Sequence, residues 1–119
     1  MKVAVIGSRT LFVWDVGKYL PDGTDEIVSG GAKGVDSCAA AYARKAGIKL
    51  TEFLPDYKTY GRGAPLRRDA QIVEYADRVL AFWDGESRGT KYVIDKCRET
   101  GTPCTVYRPT GENVEKNIQ

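Results

Sequence analysis

The chain has 119 residues, 42% of them hydrophobic and 29% charged, with a formal net charge of +2. Such a length and balance suit one globular domain with its own core, and the small charge gives no sign of a nucleic-acid binder. The complete lack of histidine excludes an imidazole base, a Ser-His or Cys-His nucleophile and a histidine-ligated metal, so any chemistry falls to carboxylates, hydroxyls, amides, lysine or arginine.

Lys2-Val3-Ala4-Val5-Ile6 is a compact apolar run that predicts a central strand opening into Gly7-Ser8-Arg9. Phe12, Val13, Val16 and Leu20 then recur at three- and four-residue intervals, which predicts a first helix closed by Pro21-Asp22-Gly23. Glu26 to Ser29 predicts the second strand, and a helix follows from Gly34 to Ala46, stopped by Gly47. Between them lies Ser29-Gly30-Gly31-Ala32-Lys33-Gly34-Val35-Asp36, three glycines in five positions. A turn of this kind lets another molecule approach the backbone, and the helix behind it offers free N–H groups and a positive dipole end. It reads as a place for an anion, most simply a phosphate, or else as a tight strand-to-helix turn and nothing more.

Ile48 to Leu54 predicts the third strand, ended by Pro55, and residues 55–64 show no periodicity and are expected to form a loop over the site. Pro65 suits the first turn of a helix with Leu66, Ala70, Val73 and Ala76 on one face. Arg67, Arg68 and Asp69 fall in its opening turns. Arginines there oppose the helix dipole, which suggests an external anion or a carboxylate partner, with a solvated charged face as the alternative. Arg78 to Trp83 predicts the next strand, and Asp84 to Thr90 a second glycine-bearing turn into a helix marked by Val93, Ile94 and Cys97. Cys104 to Tyr107 predicts the last strand. Residues 110–119 are polar and are expected to form a loosely held tail. Cys38, Cys97 and Cys104 make no C-x-x-C pair and read as small reduced side chains.

Strands alternate with helices throughout, which predicts an α/β fold over residues 1–109: a Rossmann-like three-layer sandwich with a mainly parallel sheet of about five strands. Ligands of such sheets bind beyond the carboxyl ends of the strands. The three informative turns all follow strands and should share that edge. Gly30, Gly31 and Gly34 would admit a phosphate to the amides around Ala32, with Lys33 as a mobile charge and Arg9 and Arg68 as a clamp. Lys33 reads equally as a solvent-facing loop residue. Ser8, Ser29 and Thr90 are candidates to hydrogen-bond phosphate or ribose, and Asp36 or Asp84 to accept from ribose hydroxyls. Gly7, Gly85, Ser87 and Gly89 complete the turns. Asp36 also reads as a complement to its helix dipole, and Ser87 and Thr90 as caps. Trp83 is either a stacking surface for a base or a core residue. No metal site is evident, and no apolar run approaches the roughly 20 residues of a membrane span. Met1-Lys2 leads into a strand and not a signal peptide, so a cytoplasmic protein without a membrane partner is expected.

Gly7-Ser8-Arg9, Ser29 to Asp36, Arg67-Arg68-Asp69 and Phe82 to Thr90, in that order and at those spacings, resemble the SLOG superfamily, and most closely its YspA-like branch, over residues 2–107. The resemblance implies a site for a nucleotide or nucleotide-derived ligand, ADP-ribose-like or a nucleoside phosphate, held for sensing or sequestration without a further cofactor. It also implies a homo-oligomer. The superfamily includes Lonely-Guy-type phosphoribohydrolases and DNA-processing A proteins, so N-glycosyl hydrolysis or transfer and single-stranded DNA binding are the alternatives it carries. The small net charge does not favour nucleic acid. In the phosphoribohydrolases an arginine precedes the penultimate strand, where Arg68 stands here, and a P-G-G-x-G-T-x-x-E motif supplies a catalytic glutamate. The residue three after Thr90 is Val93. An enzyme of that kind would need Asp84 or Glu86, in the longer turn, to act with Arg68.

Overall fold

The computed structural model describes residues 1–110 and 113–118, with side chains described through residue 108. Five strands form a parallel sheet: β1 (Lys2–Gly7), β2 (Glu26–Ser29), β3 (Lys49–Glu52), β4 (Arg78–Phe82) and β5 (Cys104–Thr110). A sixth, β6 (Asn113–Ile118), pairs antiparallel with β5, giving the order β3-β2-β1-β4-β5-β6. The polar stretch expected as a tail therefore contains an edge strand, with Thr105 opposite Ile118 and Thr110 opposite Asn113. An antiparallel edge needs only a short connection and tolerates polar residues, which is why composition alone pointed elsewhere.

The sheet is covered on both faces, and side-chain alternation decides what goes where. Val3 and Val5 of β1 pack with α1 (Val35–Ala46) through Val35, Ala39 and Ala43, whereas Ala4 and Ile6 pack with Ile72, Val73, Val93 and Ile94. Those last four belong to α3 (Ala64–Tyr75) and α4 (Arg88–Thr100). The period-two rule thus turns one apolar strand into the floor of two cores. Both α1 and α4 end at a left-handed glycine, Gly47 and Gly101, as glycine permits there.

The helix expected over Phe12 to Leu20 is not formed. Val13 and Val16 do reach the core, but only a 3-10 turn at Val16–Tyr19 is regular. Gly17 fits under the ring of Tyr42 from α1, leaving no room for a Cβ. Aromatic and β-branched neighbours with a central glycine make a weak helix, and docking against α1 prevails. Residues 55–64 are also more ordered than a bare loop: a one-turn helix, α2 (Tyr57–Tyr60), and a 3-10 turn at Gly61–Gly63 lead into α3. Asp56 caps α2 by accepting from the Thr59 N–H at 3.1 Å. No helix among the described residues is long and apolar enough to cross a membrane.

Candidate functional site

The chain leaves β1 toward β2 on one side of the sheet and, after β3, crosses to β4 on the other, so the strand order reverses between β1 and β4. Their carboxyl ends diverge there, and loops on the two sides leave a crevice. The crevice in this protein is a cavity of about 420 Å³. Gly7, Arg9 and Thr10 line it from the end of β1, Ala32 and Asp36 from the start of α1, and Pro65, Leu66, Arg68 and Asp69 from the start of α3. Asp84, Ser87, Gly89, Thr90 and Val93 close it from the β4–α4 turn. The three informative turns do share one edge, and α3 joins them. None of residues 55–64 lines the cavity.

Arg68 organises the floor. It is 8% exposed, donates from Nε to Asp69 Oδ1 at 2.7 Å, and donates from an Nη to the Gly30 carbonyl. Its partner is thus an internal carboxylate, one of the two readings open for arginines at this helix start. Gly30 is small for the same reason: a Cβ there would stand 2.8 Å from both the Arg68 Nη and Asp36 Oδ2. Gly34 packs against backbone, where a Cβ would meet the carbonyl oxygens of Arg9 at 2.6 Å and Ser8 at 2.7 Å. Gly30 and Gly34 therefore serve the protein's own close packing. Gly31 and Lys33 are exposed on the same loop, outside the cavity lining.

Asp36 is 5% exposed, its Oδ2 accepts from the Ala32 N–H at 3.4 Å, and its Oδ1 has no hydrogen-bond partner among the described residues. Burial pushes its carboxyl up from 3.8 to about 6, although the Ala32 N–H and the Arg68 charge pull the other way. The Gly7 amide also pulls slightly downward without a hydrogen bond of good geometry to Oδ1. Burial raises Asp69 as well, against the opposing pull of Arg68. A raised carboxylate destabilises the fold once ionised, so its effect is least below pH 4 and grows as pH rises through 6. For Asp36→Asn we expect this pH dependence to disappear, a difference of up to ~3 kcal/mol between pH 4 and pH 7. Urea unfolding of wild type and variant in parallel reads it, since Asp84 and Asp56 shift the opposite way and cancel in the comparison.

Asp84 sits across the cavity in a different setting. Its Oδ1 accepts from the N–H groups of Glu86 and Ser87, both at 2.8 Å, and its Oδ2 from the Thr10 hydroxyl at 3.2 Å. Those bonds, the Ser87 N–H foremost, hold it below the usual carboxylate range. Ser8, buried, accepts from the Asp84 N–H at 3.1 Å and so ties the β1 turn to the β4 turn. Ser87 caps α4, its hydroxyl accepting from the Thr90 N–H at 3.3 Å and lying 3.1 Å from the Thr90 hydroxyl. Ser29 is buried, donating to the Asp36 carbonyl at 3.2 Å and accepting from the Gly31 N–H at 3.3 Å. Trp83 lies outside the lining: its Nε1 donates to the Ser87 carbonyl at 3.0 Å and the Arg108 guanidinium stands 5.3 Å over its ring. Arg108 also covers Gly85, and Glu86 is exposed outside the cavity.

Sequence reasoning leaves Ile6, Thr10, Pro65, Leu66, Val93 and Asp69 out of the site, and the charged one among them is Asp69. The available signal was its adjacency to Arg68 at the opening of a helix, where a carboxylate and a guanidinium on neighbouring positions can reach the same strand ends. No cluster of three or more metal-type side chains able to hold an ion occurs among the described residues.

Comparison with known proteins reaches one of the ordered motifs, the glycine turn from Ser29 to Asp36. The YspA, cpYpsA-related SLOG family (YAcAr) matches at residues 17–60, from the 3-10 turn through the glycine turn and α1 to α2. That match supports an assignment to the SLOG superfamily, YspA-like group. A Gene 61 protein of Mycobacterium phage D29 is 34% identical over 83 residues, which cover 65% of this chain and 66% of the phage protein, just short of two thirds of its length. No solved structure matches. Similarity to the SLOG family points to nucleotide-related binding or processing in general.

Proposed function

We propose that this domain binds a nucleotide-derived ligand, a nucleoside phosphate or an ADP-ribose-like molecule, in the cavity between the β1 and β4 ends, for sensing or sequestration. One observation carries the reading: a cavity of about 420 Å³ at the strand-order reversal, within the ~300–1,000 Å³ usual for small-molecule sites. Arg9, exposed at its rim, supplies the mobile positive charge for a phosphate, because Arg68 is already committed to Asp69 and Gly30. A homo-oligomer belongs to the same proposal, supported by the exposed Leu54, Tyr57, Tyr60 and Leu66, the last on the cavity wall.

A second reading, cleavage of the ligand's N-glycosidic bond, is favoured by a different observation. The cavity holds one carboxyl raised to about 6, Asp36, and one held low, Asp84. Carboxyls pushed apart in this way can divide acid and base roles. The proton-holding candidate is then Asp36, while Asp84 is ionised and exposed Glu86 stands outside.

Thermal unfolding against AMP, ADP-ribose and cyclic nucleotides tests both readings. A ligand at 100 times its Kd adds ~2.7 kcal/mol of stability, and Arg9→Ala should weaken a phosphate-bearing ligand about tenfold. Recovery of the intact ligand after overnight incubation supports binding alone. Recovery as free base and sugar phosphate supports cleavage, and absence of any stabilisation would overturn both.

A further inference from the structure

Three carboxylates, Asp36, Asp69 and Asp84, line the cavity against two guanidiniums, Arg9 and Arg68. Asp84 spends its oxygens on protein donors, and Arg68 spends two of its donor positions on Asp69 and Gly30. Two acceptors remain. Asp36 Oδ1 takes no hydrogen bond among the described residues although the residue is only 5% exposed. Asp69 uses Oδ1 for Arg68, and its Oδ2 lies 3.8 Å from where a Cβ on Gly89 would stand, at the mouth of α4. The two carboxyls are near enough that the charge of Asp69 helps to raise Asp36. A buried carboxyl oxygen without a donor is costly, and a ligand that supplies one relieves that cost. A phosphate has the wrong sign for this end of the cavity. Adjacent hydroxyls have the right chemistry, each donating one hydrogen bond to an acceptor-only oxygen.

We propose that Asp36, held by the Ala32 N–H, and Asp69, held by Arg68, form a subsite for the free vicinal hydroxyls of a sugar, so that the cavity selects ligands whose diol is neither deoxygenated nor phosphorylated. The subsite rests on the reading of the cavity as a nucleotide site and divides it into a phosphate end at Arg9 and a diol end at the α1–α3 floor. A site built to hydrogen-bond a hydroxyl discriminates strongly against the analogue lacking it, because its own groups are then left unpaired.

Calorimetric titration of the wild-type chain with AMP, 2′,3′-dideoxy-AMP, 2′,3′-cyclic AMP and free D-ribose tests this. The expected result is AMP binding at least tenfold tighter than either diol-blocked analogue. In Asp69→Asn, where an amide can keep its oxygen toward Arg68 and present N–H groups to the cavity, that preference should collapse to within threefold while the dideoxy analogue binds as before. The wild-type comparison stands even if the variant fails to fold. AMP and its blocked analogues binding equally well would overturn the subsite and leave the nucleotide reading intact. Ribose binding that Asp69→Asn abolishes, with no nucleotide bound, would support the subsite and overturn the nucleotide reading. No binding of any probe would overturn both.

Discussion

Replacing Arg68 by alanine should lower the unfolding free energy at pH 7 by about 3–5 kcal/mol, the range for removing one partner of a buried ion pair. The truncation leaves Asp69 and Asp36 without the charge that pulls both downward, and it strips the Gly30 carbonyl of its donor. The pH dependence follows in sign. Without Arg68 both carboxyls rise further in the folded state, so the variant loses stability as pH climbs from about 4 through and beyond 6, and its gap from wild type widens over that window. Arg68→Lys should recover only part of the loss, because one ammonium cannot serve Asp69 and the Gly30 carbonyl with the geometry of a planar fork. Urea unfolding at pH 5 and pH 7.5 measures both effects. A cost below 1 kcal/mol, equal at the two values, would show that the floor is not held by this pair.

Gly34→Ala should be comparably severe, about 2–6 kcal/mol from two sources of ~1–3 kcal/mol each. The first is conformational, since Gly34 has φ 76° and ψ −126°, a region that side chains other than glycine's rarely enter. The second is steric. The new Cβ would press on the carbonyls of Arg9 and Ser8, which are backbone and part of the turn that ends at the cavity. Gly31→Ala provides the contrast within the same loop. It also has a positive φ, but the atom in its way belongs to the flexible, exposed side chain of Leu54. Its cost should stay near the ~1–2 kcal/mol of the left-handed backbone alone. Thermal unfolding of the two variants side by side decides the matter, and equal costs would contradict the packing described for Gly34.

The Gly34 contrast shows what a motif conveys and what it leaves open. Three glycines between a β-branched run and a small-residue helix are enough to place a sharp turn at the carboxyl end of a strand. They do not reveal that Gly30 makes way for Arg68 and Gly34 for the β1 turn, because those neighbours lie up to 38 positions away in the chain. The site was legible in the same partial sense. Gly7, Arg9, Ala32, Asp36, Arg68, Asp84, Ser87, Gly89 and Thr90 do meet around one cavity. Ser8, Ser29 and Trp83 hold its walls together from behind, by hydrogen bonds to Asp84, Asp36 and Ser87 respectively. A serine after a strand looks the same in either role, and only its partner distinguishes them.

By itself the sequence determined the alternation of strands and helices, the parallel sheet that follows from it, the glycine stop of α1, and the common edge of the three turns. These depend on local periodicity and on backbone preferences of single residues, which act over a few positions. Tertiary structure alone decided the rest. It unwound the expected helix at Phe12 to Leu20 in favour of docking on α1, and it paired polar residues 113–118 with β5. It also turned Arg68 inward to Asp69 and left Asp36 buried with an oxygen unpaired. A carboxylate's protonation and an arginine's partner are set by solvent exclusion and by charges brought from other elements. Those quantities have no value until the chain has folded.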